Sequence, residues 1–199
     1  LARREALWAI KALRDEPLPL FAAAAVMREA EEPDVLLQPM RDGAEVARDY
    51  NRTGLTLRDH PLAFLRDDLS ERGMVTCRQA LEARDRSSLS VAGLVLVRQR
   101  PGSAEGVVFM TLEDETAAIN VIIWPDMFER FRRVVFSGQM LGVVGRLQKE
   151  GEVVHLVARE IMDLSFLLAD VGNRSLHASP DPEQGRLREN IVVKARNFH

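Results

Sequence analysis

The sequence has almost no cysteine, no long apolar run and no excess of positive charge. Its 199 residues include 1 cysteine, Cys77, which excludes an intramolecular disulfide and a cysteine zinc cluster and favours a reducing cytoplasm. The longest apolar runs, such as Phe21–Met27, fall short of the ~20 residues of a membrane helix, so we expect no membrane association. A net charge of -3 excludes a polybasic protein that binds nucleic acid through charge alone, and any phosphate contact must be local.

The patterns of a catalytic or metal site are also lacking. The 4 histidines are scattered along the chain, at His60, His155, His177 and His199. Their spacing does not match that of metal ligands. Carboxylates cluster at Asp67–Asp68 and Glu113–Glu115, where a solvated face is the usual interpretation. Gly142–Gly145 is too short for a phosphate-binding loop, and close strand packing explains it better. We therefore expect no catalytic residue, no metal ligand and no cofactor in this chain.

A series of strand patterns lies between Ser90 and Asp163. Five apolar runs predict β-strands at Val91–Arg98, Gly106–Leu112, Ala118–Trp124, Met140–Leu147 and Val153–Ile161. After the third run, apolar residues recur at helical spacing from Asp126 to Val135. A glycine-containing segment, Gln148–Glu152, predicts a hairpin turn between the last two strands. Three strands, a capping helix and a closing hairpin are the order of an OB-fold, a small five-stranded barrel.

Helical patterns precede these strands, and a polar stretch follows them. We predict a helical region with a linker at 1–46, a helical connector at 47–87, the OB-fold at 88–165 and a flexible tail at 166–199. The tail is predicted from its glycines and prolines, which interrupt every periodic pattern. The expected fold class is mixed, mainly a β-barrel preceded by a helical segment. Because the chain does not begin with methionine, we expect it to be a piece of a longer protein.

Alternation in the second strand predicts a binding surface on the barrel. If Met110 and Leu112 face the core, Phe109 faces outward, where an aromatic ring can stack on an unpaired base. A shift of one residue would place Phe109 in the core instead. Asn120 on the third strand can bind a base edge, or it can simply be satisfied by backbone or water. For Trp124, we favour packing against the helix over stacking.

Four cations near the strand ends are candidates for phosphate contacts: Arg98, Arg100, Arg146 and Lys149. The first two lie at the end of the first strand, and the other two lie near the final hairpin. OB-folds hold their ligands through loops at these two places. Each of these side chains alone is more often an ordinary surface charge, but together on one groove they would form a phosphate track.

Two stretches carry a resemblance to known families. Phe109–Glu115, followed by Asn120–Ile123, resembles the anticodon-binding type of OB-fold, in which a Phe-x-x-Leu-x-Asp segment leads into a strand with an amide side chain. The longer stretch Gly106–Trp124 resembles the C-terminal region of bacterial C-family DNA polymerases, particularly of the error-prone type. Ala117 stands where the polymerase pattern usually has glycine, so the turn between the second and third strands is expected to differ.

Other segments extend the polymerase resemblance over nearly the whole chain. Leu1–Leu13 resembles the end of the polymerase helix-hairpin-helix region, which is the character expected of segment 1–46. Asp49–Leu65 resembles the polymerase linker, and Arg196–His199 is similar to the terminal residues of the same proteins.

The resemblance implies a non-catalytic C-terminal part of an error-prone DNA polymerase that acts in damage-induced translesion synthesis. The parent nucleotidyltransferase would hold catalytic magnesium on an Asp-x-Asp pair in another domain, because that spacing does not occur in this chain. The OB-fold would bind single-stranded template DNA in the cytoplasm, and accessory mutagenesis proteins and the sliding clamp are further expected partners. Two alternatives remain: a module that docks such proteins, and an independent anticodon-like RNA binder, which the flanking segments disfavour.

Overall fold

The computed structural model describes Ile10 and residues 41–54, 56–176, 191–192 and 195–198. Most of the predicted helical region at 1–46 and the middle of the predicted tail, 177–190, lie outside these residues. The chain divides into two units, Leu1–Pro39 and Met40–His199, and the elements described below belong to the second. The division into four segments stays a prediction.

Four α-helices and six strands lie within the described residues. The helices are α1 (Asp42–Thr53), α2 (Arg66–Glu71), α3 (Cys77–Glu82) and α4 (Pro125–Ser137). The strands are β1 (Ser88–Gln99), β2 (Val108–Glu113), β3 (Ala118–Ile123), β4 (Met140–Glu150), β5 (Val153–Asp163) and β6 (Arg196–Phe198). Short 3-10 helices occur at Pro61–Leu65, Gly102–Ala104 and Ser165–Asn173.

Strands β1 to β5 close into a barrel. The C-terminal half of β1 pairs with β2, and its N-terminal half pairs with β4. β3 pairs with β2 on one side and, in parallel, with β5 on the other, and the β4–β5 hairpin completes the ring. Gly151 has a φ of +61° in the predicted hairpin turn, which glycine adopts easily. The predicted OB-fold is confirmed, with α4 in the place of the capping helix.

The barrel core is built from alternate residues of the strands. β2 buries Val108, Met110 and Leu112, while Phe109 and Thr111 between them are only partly buried. β3 follows the same rule and buries its odd-numbered residues, Ile119, Val121 and Ile123. The alternation predicted for β2 is therefore observed, and Phe109 lies on the outer side of the barrel.

A second hydrophobic core covers the outer side of β1 and β4. Ala92, Leu94 and Met140 contribute to this core from the strands. The segments that flank the barrel in the sequence, mostly helical, contribute its other buried members, which are Val46, Ala47, Leu62, Phe64, Leu65, Leu69, Met74, Leu164, Leu167, Leu168, Val171 and Ile191. Because helices cover this side of the sheet, a ligand has to bind elsewhere on the barrel.

The segment that follows the barrel is packed into the second core, where the sequence pattern predicts a flexible tail from residue 166. Ser165–Asn173 form a 3-10 helix, and its Leu167, Leu168 and Val171 are buried in the second core. Next, Arg174 donates to the carbonyl oxygen of Phe64 at 3.0 Å and to Asp68 at 2.6 Å. A short apolar segment that is buried mainly by residues distant in the sequence gives no periodic signal there.

The C-terminal residues that the structure describes are also packed. Ile191 is buried in the second core, and the backbone N–H of Val192 donates to the Asn51 side chain at 2.8 Å. β6 lies parallel to β1 at Val97–Gln99. Separately, no helix among the described residues is long and apolar enough to cross a membrane.

His60 lies where the helical layer meets the barrel. Its Nδ1 accepts a hydrogen bond from the Leu62 N–H at 3.1 Å and caps the 3-10 helix Pro61–Leu65. Its buried Nε2 has no hydrogen-bond partner among the described residues and lies 3.9 Å from Glu113 Oε2. Burial lowers the pKa of His60 to about 4, although the charges of Glu115 and Asp114 oppose this effect.

Mild acid is expected to destabilise the fold through His60. Because the folded-state pKa lies below the ordinary value of 6.5, protonation favours the unfolded chain once the pH falls below 6.5. Between pH 7.0 and 5.5 we expect His60 to remove about 1 kcal/mol of the free energy of unfolding. Urea titrations at both pH values measure this loss. His60→Asn keeps a capping acceptor, and its free energy of unfolding should fall less on acidification than that of the unchanged chain. An equal fall in the two proteins would show that His60 is not the cause.

Candidate nucleic-acid interface

The outer side of the barrel carries an apolar row of side chains that crosses four strands. Phe109 of β2 is paired with Ile122 of β3, Ile122 with Val157 of β5, and Val157 with Arg146 of β4. Since neighbouring strands lie about 4.8 Å apart, the row is about 14 Å long. The first three side chains are partly buried, and Arg146 is exposed. The apolar row is therefore a strip that ends in a cation.

A polar row runs beside the apolar row on the same outer face, two residues away along each strand. Thr111 is paired with Asn120, Asn120 with His155, and His155 with Gln148. The Thr111 hydroxyl donates to Asn120 Oδ1 at 3.0 Å, and the Gln148 amide donates to Glu150 at 2.7 Å. His155 Nδ1 is buried and has no hydrogen-bond partner within the described ranges. The polar row thus offers donors and acceptors beside an apolar strip.

Trp124 adds a second aromatic side chain to this side of the barrel. It directly follows β3 with an extended backbone, φ -67° and ψ 156°, so it continues the outward alternation of Asn120 and Ile122. Its side chain is 54% exposed. That Trp124 packs against the helix stays a prediction, since this residue directly precedes α4 and is only about half exposed.

A basic groove adjoins the apolar row at Arg146. It has a volume of about 400 Å³, and its charged lining residues are Arg86, Arg146, Lys149, Arg159, Asp85 and Glu150. Four cations against two carboxylates leave a formal excess of two positive charges. The chain as a whole carries a net charge of -3, so this local excess is the kind of phosphate contact that the composition allows.

Two of the predicted cations, Arg146 and Lys149, line this groove. Arg146 Nε donates to the carbonyl oxygen of Arg86 at 3.2 Å. Lys149 Nζ donates to the carbonyl oxygen of Leu81 at 2.7 Å, and its backbone N–H donates to Asp85 at 2.9 Å. Lys149 therefore adds charge to the groove while its ammonium group is held at the end of α3.

Arg98 and Arg100 lie elsewhere, which contradicts a single phosphate track. The Arg98 guanidinium donates to the carbonyl oxygen of Gly138 and, at 3.4 Å, to Asn197. It is buried, burial lowers its pKa, and it joins β1 to the end of α4 and to β6. The Arg100 guanidinium is exposed and lies 4.7 Å from the centre of the Phe128 ring.

Strand length explains the separation. Arg146 is paired with Ser88, the first residue of β1, whereas Arg98 is the eleventh residue of the same strand. At about 3.3 Å per residue, the two ends of β1 are roughly 33 Å apart along the strand. The six predicted site residues therefore do not form one site: Phe109, Asn120 and Arg146 share the outer face, with Lys149 at its border.

The carboxylate cluster Glu113–Glu115 stabilises the fold. Its interpretation as a solvated face is wrong for Asp114. The Asp114 carboxylate is buried and accepts hydrogen bonds from the backbone N–H groups of Cys77, Thr116 and Ala117 at 2.7, 2.8 and 3.0 Å. Arg66 donates to it at 3.1 Å and also pairs with Glu115. Burial raises the pKa of Asp114, but the hydrogen bonds outweigh burial and hold the pKa below its ordinary value.

These bonds fix the turn between β2 and β3 against α3, and so hold the two strands that carry Phe109 and Asn120. Asp114 N–H donates to the Ala117 carbonyl at 3.0 Å, which closes the turn. Ala117 does not have a positive φ, so alanine fits where glycine was expected. The carboxylate oxygens are engaged by N–H groups and Arg66, and no described residues form a cluster of three or more His, Cys, Asp or Glu side chains that could hold a metal ion.

Several residues of the interface were not predicted from the sequence: Ile122, His155, Val157, Arg86 and Arg159. The first three come together through the parallel pairing of β3 with β5, whose register depends on the closed barrel. Arg86 lies before the first predicted strand, where no motif marks it. A recognised OB-fold with its strand order could have indicated β5 as a neighbour of β3, but not the register.

The barrel is similar to a known family of domains and to solved structures. Residues 89–164 match the tRNA anti-codon family, described as an OB-fold nucleic acid binding domain. Among solved structures, asparaginyl-tRNA synthetase from Pyrococcus horikoshii aligns with 46% of this chain and 23% of its own, at a TM-score of 0.40 and 16% identity.

The whole chain is similar to error-prone DNA polymerases. It is 62% identical to error-prone DNA polymerase 1 of Agrobacterium fabrum, over 100% of this chain and 21% of that protein. It is 57% identical to error-prone DNA polymerase 2 of Rhizobium meliloti, over 100% of this chain and 20% of that protein. The chain thus spans about a fifth of the length of these curated relatives. The resemblance predicted from Gly106–Trp124 is confirmed.

Proposed function

We propose that this chain, a homologue of error-prone DNA polymerases that carries an OB-fold nucleic-acid-binding domain, holds single-stranded template DNA across the outer face of its barrel. The observation that supports this most directly is the register that aligns Phe109, Ile122, Val157 and Arg146 in one row. In this proposal the chain is a non-catalytic part of a cytoplasmic polymerase that acts in damage-induced translesion synthesis and DNA repair.

The two rows suit the chemistry of an unpaired strand. Aromatic and apolar side chains stack on base faces, which a duplex hides and a single strand exposes. The polar row supplies hydrogen-bond donors and acceptors for base edges beside the apolar row. Arg146 ends the apolar row and can meet the phosphates on one side of the bases. Stacking, edge contacts and charge are therefore available on one continuous surface.

A single strand is favoured over a duplex by the charge of the site. Affinity for duplex DNA comes mainly from neutralising many phosphates. The basic groove has an excess of only two positive charges, and the chain is acidic overall. Stacking, at about 1 to 3 kcal/mol per base, is therefore expected to supply most of the affinity.

Fluorescence anisotropy of the 199-residue chain with labelled oligonucleotides tests this function. We expect a single-stranded DNA oligonucleotide to bind at least tenfold more tightly than the duplex of the same sequence at equal salt. The same oligonucleotide as RNA provides a second comparison. No binding of the single strand, or equal binding of strand and duplex, would overturn the proposal. Tighter binding of RNA would favour the anticodon-like alternative.

Docking of accessory mutagenesis proteins or the sliding clamp is the second candidate function. It is supported by large apolar side chains that lie in solvent outside the two rows, such as Phe136 and Phe166. In this case the barrel would position the parent polymerase through protein contacts. The chain would not bind nucleic acid, so substitutions in the apolar row would have no effect on such binding.

We expect no nucleotidyl transfer by this chain alone. Asp114 and Glu115 are engaged by Arg66, and the described residues contain no cluster of three or more His, Cys, Asp or Glu side chains that could hold a metal ion. Primer extension with magnesium and all four deoxynucleotides measures this activity. An active DNA polymerase added to the same primer and template is the positive control, and extension by the purified chain would contradict the prediction.

A further inference from the structure

Arg86 lies in an unusual backbone conformation beside Arg146. Its φ of +64° is in the left-handed region, which is unfavourable for a residue other than glycine. Its N–H donates to the Leu147 carbonyl at 3.0 Å, and its carbonyl accepts from Arg146 Nε at 3.2 Å. These bonds hold the segment before β1 against β4, so both guanidinium groups line the same groove.

The positive charge of the groove is not cancelled by its own carboxylates. The Arg86 side chain is 78% exposed, and Asp85 pairs with it only at 3.6 Å. Asp85 also accepts the Lys149 backbone N–H, and Glu150 accepts from Gln148. A long ion pair between exposed groups is weak, so the Arg86 guanidinium can exchange Asp85 for a phosphate.

The groove continues the apolar row, because both contain Val157 and Arg146. A strand stacked on Phe109 and Ile122 therefore has the basic groove at the far end of the row. Guanidinium groups bind phosphate oxygens through paired, charge-assisted hydrogen bonds, which makes several arginines around one concavity suited to a phosphate.

We infer that the basic groove is a backbone-phosphate site for single-stranded DNA, in which Arg86, Arg146 and Arg159 bind the phosphate and Lys149 adds charge. The inference rests on the proposed function and assigns two residues, Arg86 and Arg159, that no sequence motif marks. The ligand chemistry is a phosphate on a nucleotide strand, either an internal phosphodiester or a terminal phosphate.

Salt dependence of the anisotropy titration tests the site. Each phosphate contact that is lost should reduce the slope of log affinity against log salt by about 0.7. Arg86→Gly removes the guanidinium and suits the left-handed backbone, and Arg159→Ala removes the second group. We expect each variant to reduce the slope by about 0.7 and to weaken binding severalfold at low salt.

Arg132→Ala is the matched control. Arg132 is similarly exposed at 61%, has a similarly long ion pair of 3.9 Å with Glu129, and lies on α4 outside the groove. Arg132→Ala should leave the slope of log affinity against log salt unchanged. Thermal unfolding of all variants checks that they fold.

An oligonucleotide with and without a 5′-phosphate separates the two sources of phosphate. Equal losses with both oligonucleotides support an internal phosphodiester, and a loss seen only with the 5′-phosphate supports a terminal phosphate. If the unchanged chain binds the single strand and the slope stays the same in Arg86→Gly and Arg159→Ala, the phosphate site is overturned while the proposed function stands. No binding by the unchanged chain would overturn both.

Discussion

Asp114→Ala is expected to lower the free energy of unfolding by about 3 to 5 kcal/mol. The substitution removes the acceptor for three backbone N–H groups, which belong to Cys77, Thr116 and Ala117. It also removes one partner of the partly buried Arg66. A buried donor that loses its acceptor costs about 1 to 3 kcal/mol, so the buried N–H of Cys77, together with the partly buried N–H groups of Thr116 and Ala117, accounts for most of the expected loss.

Urea unfolding at pH 7 measures this loss, with Glu115→Ala as the matched control. Glu115 belongs to the same ion cluster, but its side chain is partly exposed, and its removal leaves the turn bonds of Asp114 intact. We expect a loss of about 1 kcal/mol for Glu115→Ala. Similar losses for the two variants would show that Asp114 stabilises the fold through its ion pair with Arg66 and not through its hydrogen bonds to the turn.

The same carboxylate also predicts the direction of an acid effect. The pKa of Asp114 lies below its ordinary value of 3.8 in the folded chain. Its contribution to stability is therefore complete above pH 3.8 and is lost as the pH falls through the folded-state pKa. The loss through His60 begins at a higher pH, below about 6.5, so the two effects separate in a titration of stability against pH.

The barrel could be predicted from the sequence because its signals are local. Each strand has its own alternation, and Gly151 and Pro125 mark the turn and the start of the helix within a few residues. The outward position of Phe109 follows from the same alternation, since Val108, Met110 and Leu112 determine which face is buried. Local patterns of this kind do not require knowledge of which strands become neighbours.

The second core and the grouping of the cations depend on distant contacts. Leu167 and Leu168 are buried only because residues around Leu62 and Leu94 cover them, and these lie far away in the sequence. Arg98 has the sequence context of a surface cation at a strand end, but β6 and Gly138 enclose it. Proximity to a predicted loop therefore does not show whether a charged side chain is free to bind a ligand.

Phe109→Ala is expected to weaken binding of single-stranded DNA by about 1 to 3 kcal/mol, which is roughly 5-fold to 150-fold in Kd. Phe109 begins the apolar row and is paired with Ile122, so its truncation removes the aromatic ring from a row whose other apolar members, Ile122 and Val157, are aliphatic. Since the side chain lies outside the barrel core, the loss of stability should be smaller than the roughly 3 to 5 kcal/mol of a buried aromatic.

Two other aromatic variants test whether the loss of binding is specific to Phe109. Phe166→Ala removes a side chain that is 62% exposed and lies on the 3-10 helix after the barrel, so binding should not change. Trp124→Ala should weaken binding by a smaller factor than Phe109→Ala, because Trp124 follows the end of β3 and lies beyond the apolar row. Anisotropy titrations at one salt concentration give the three dissociation constants, and thermal unfolding gives the stabilities.

The pattern across these variants decides between the two candidate functions. Stacking on the apolar row requires Phe109 to matter most and Phe166 not at all. If Phe109→Ala stays folded and binds the single strand as tightly as the unchanged chain, the outer face of β2 is not the DNA surface, and docking of protein partners becomes the better explanation of the barrel. If Phe166→Ala weakens binding as much as Phe109→Ala, the strand instead contacts the helical layer over β1 and β4, the side that the second core covers.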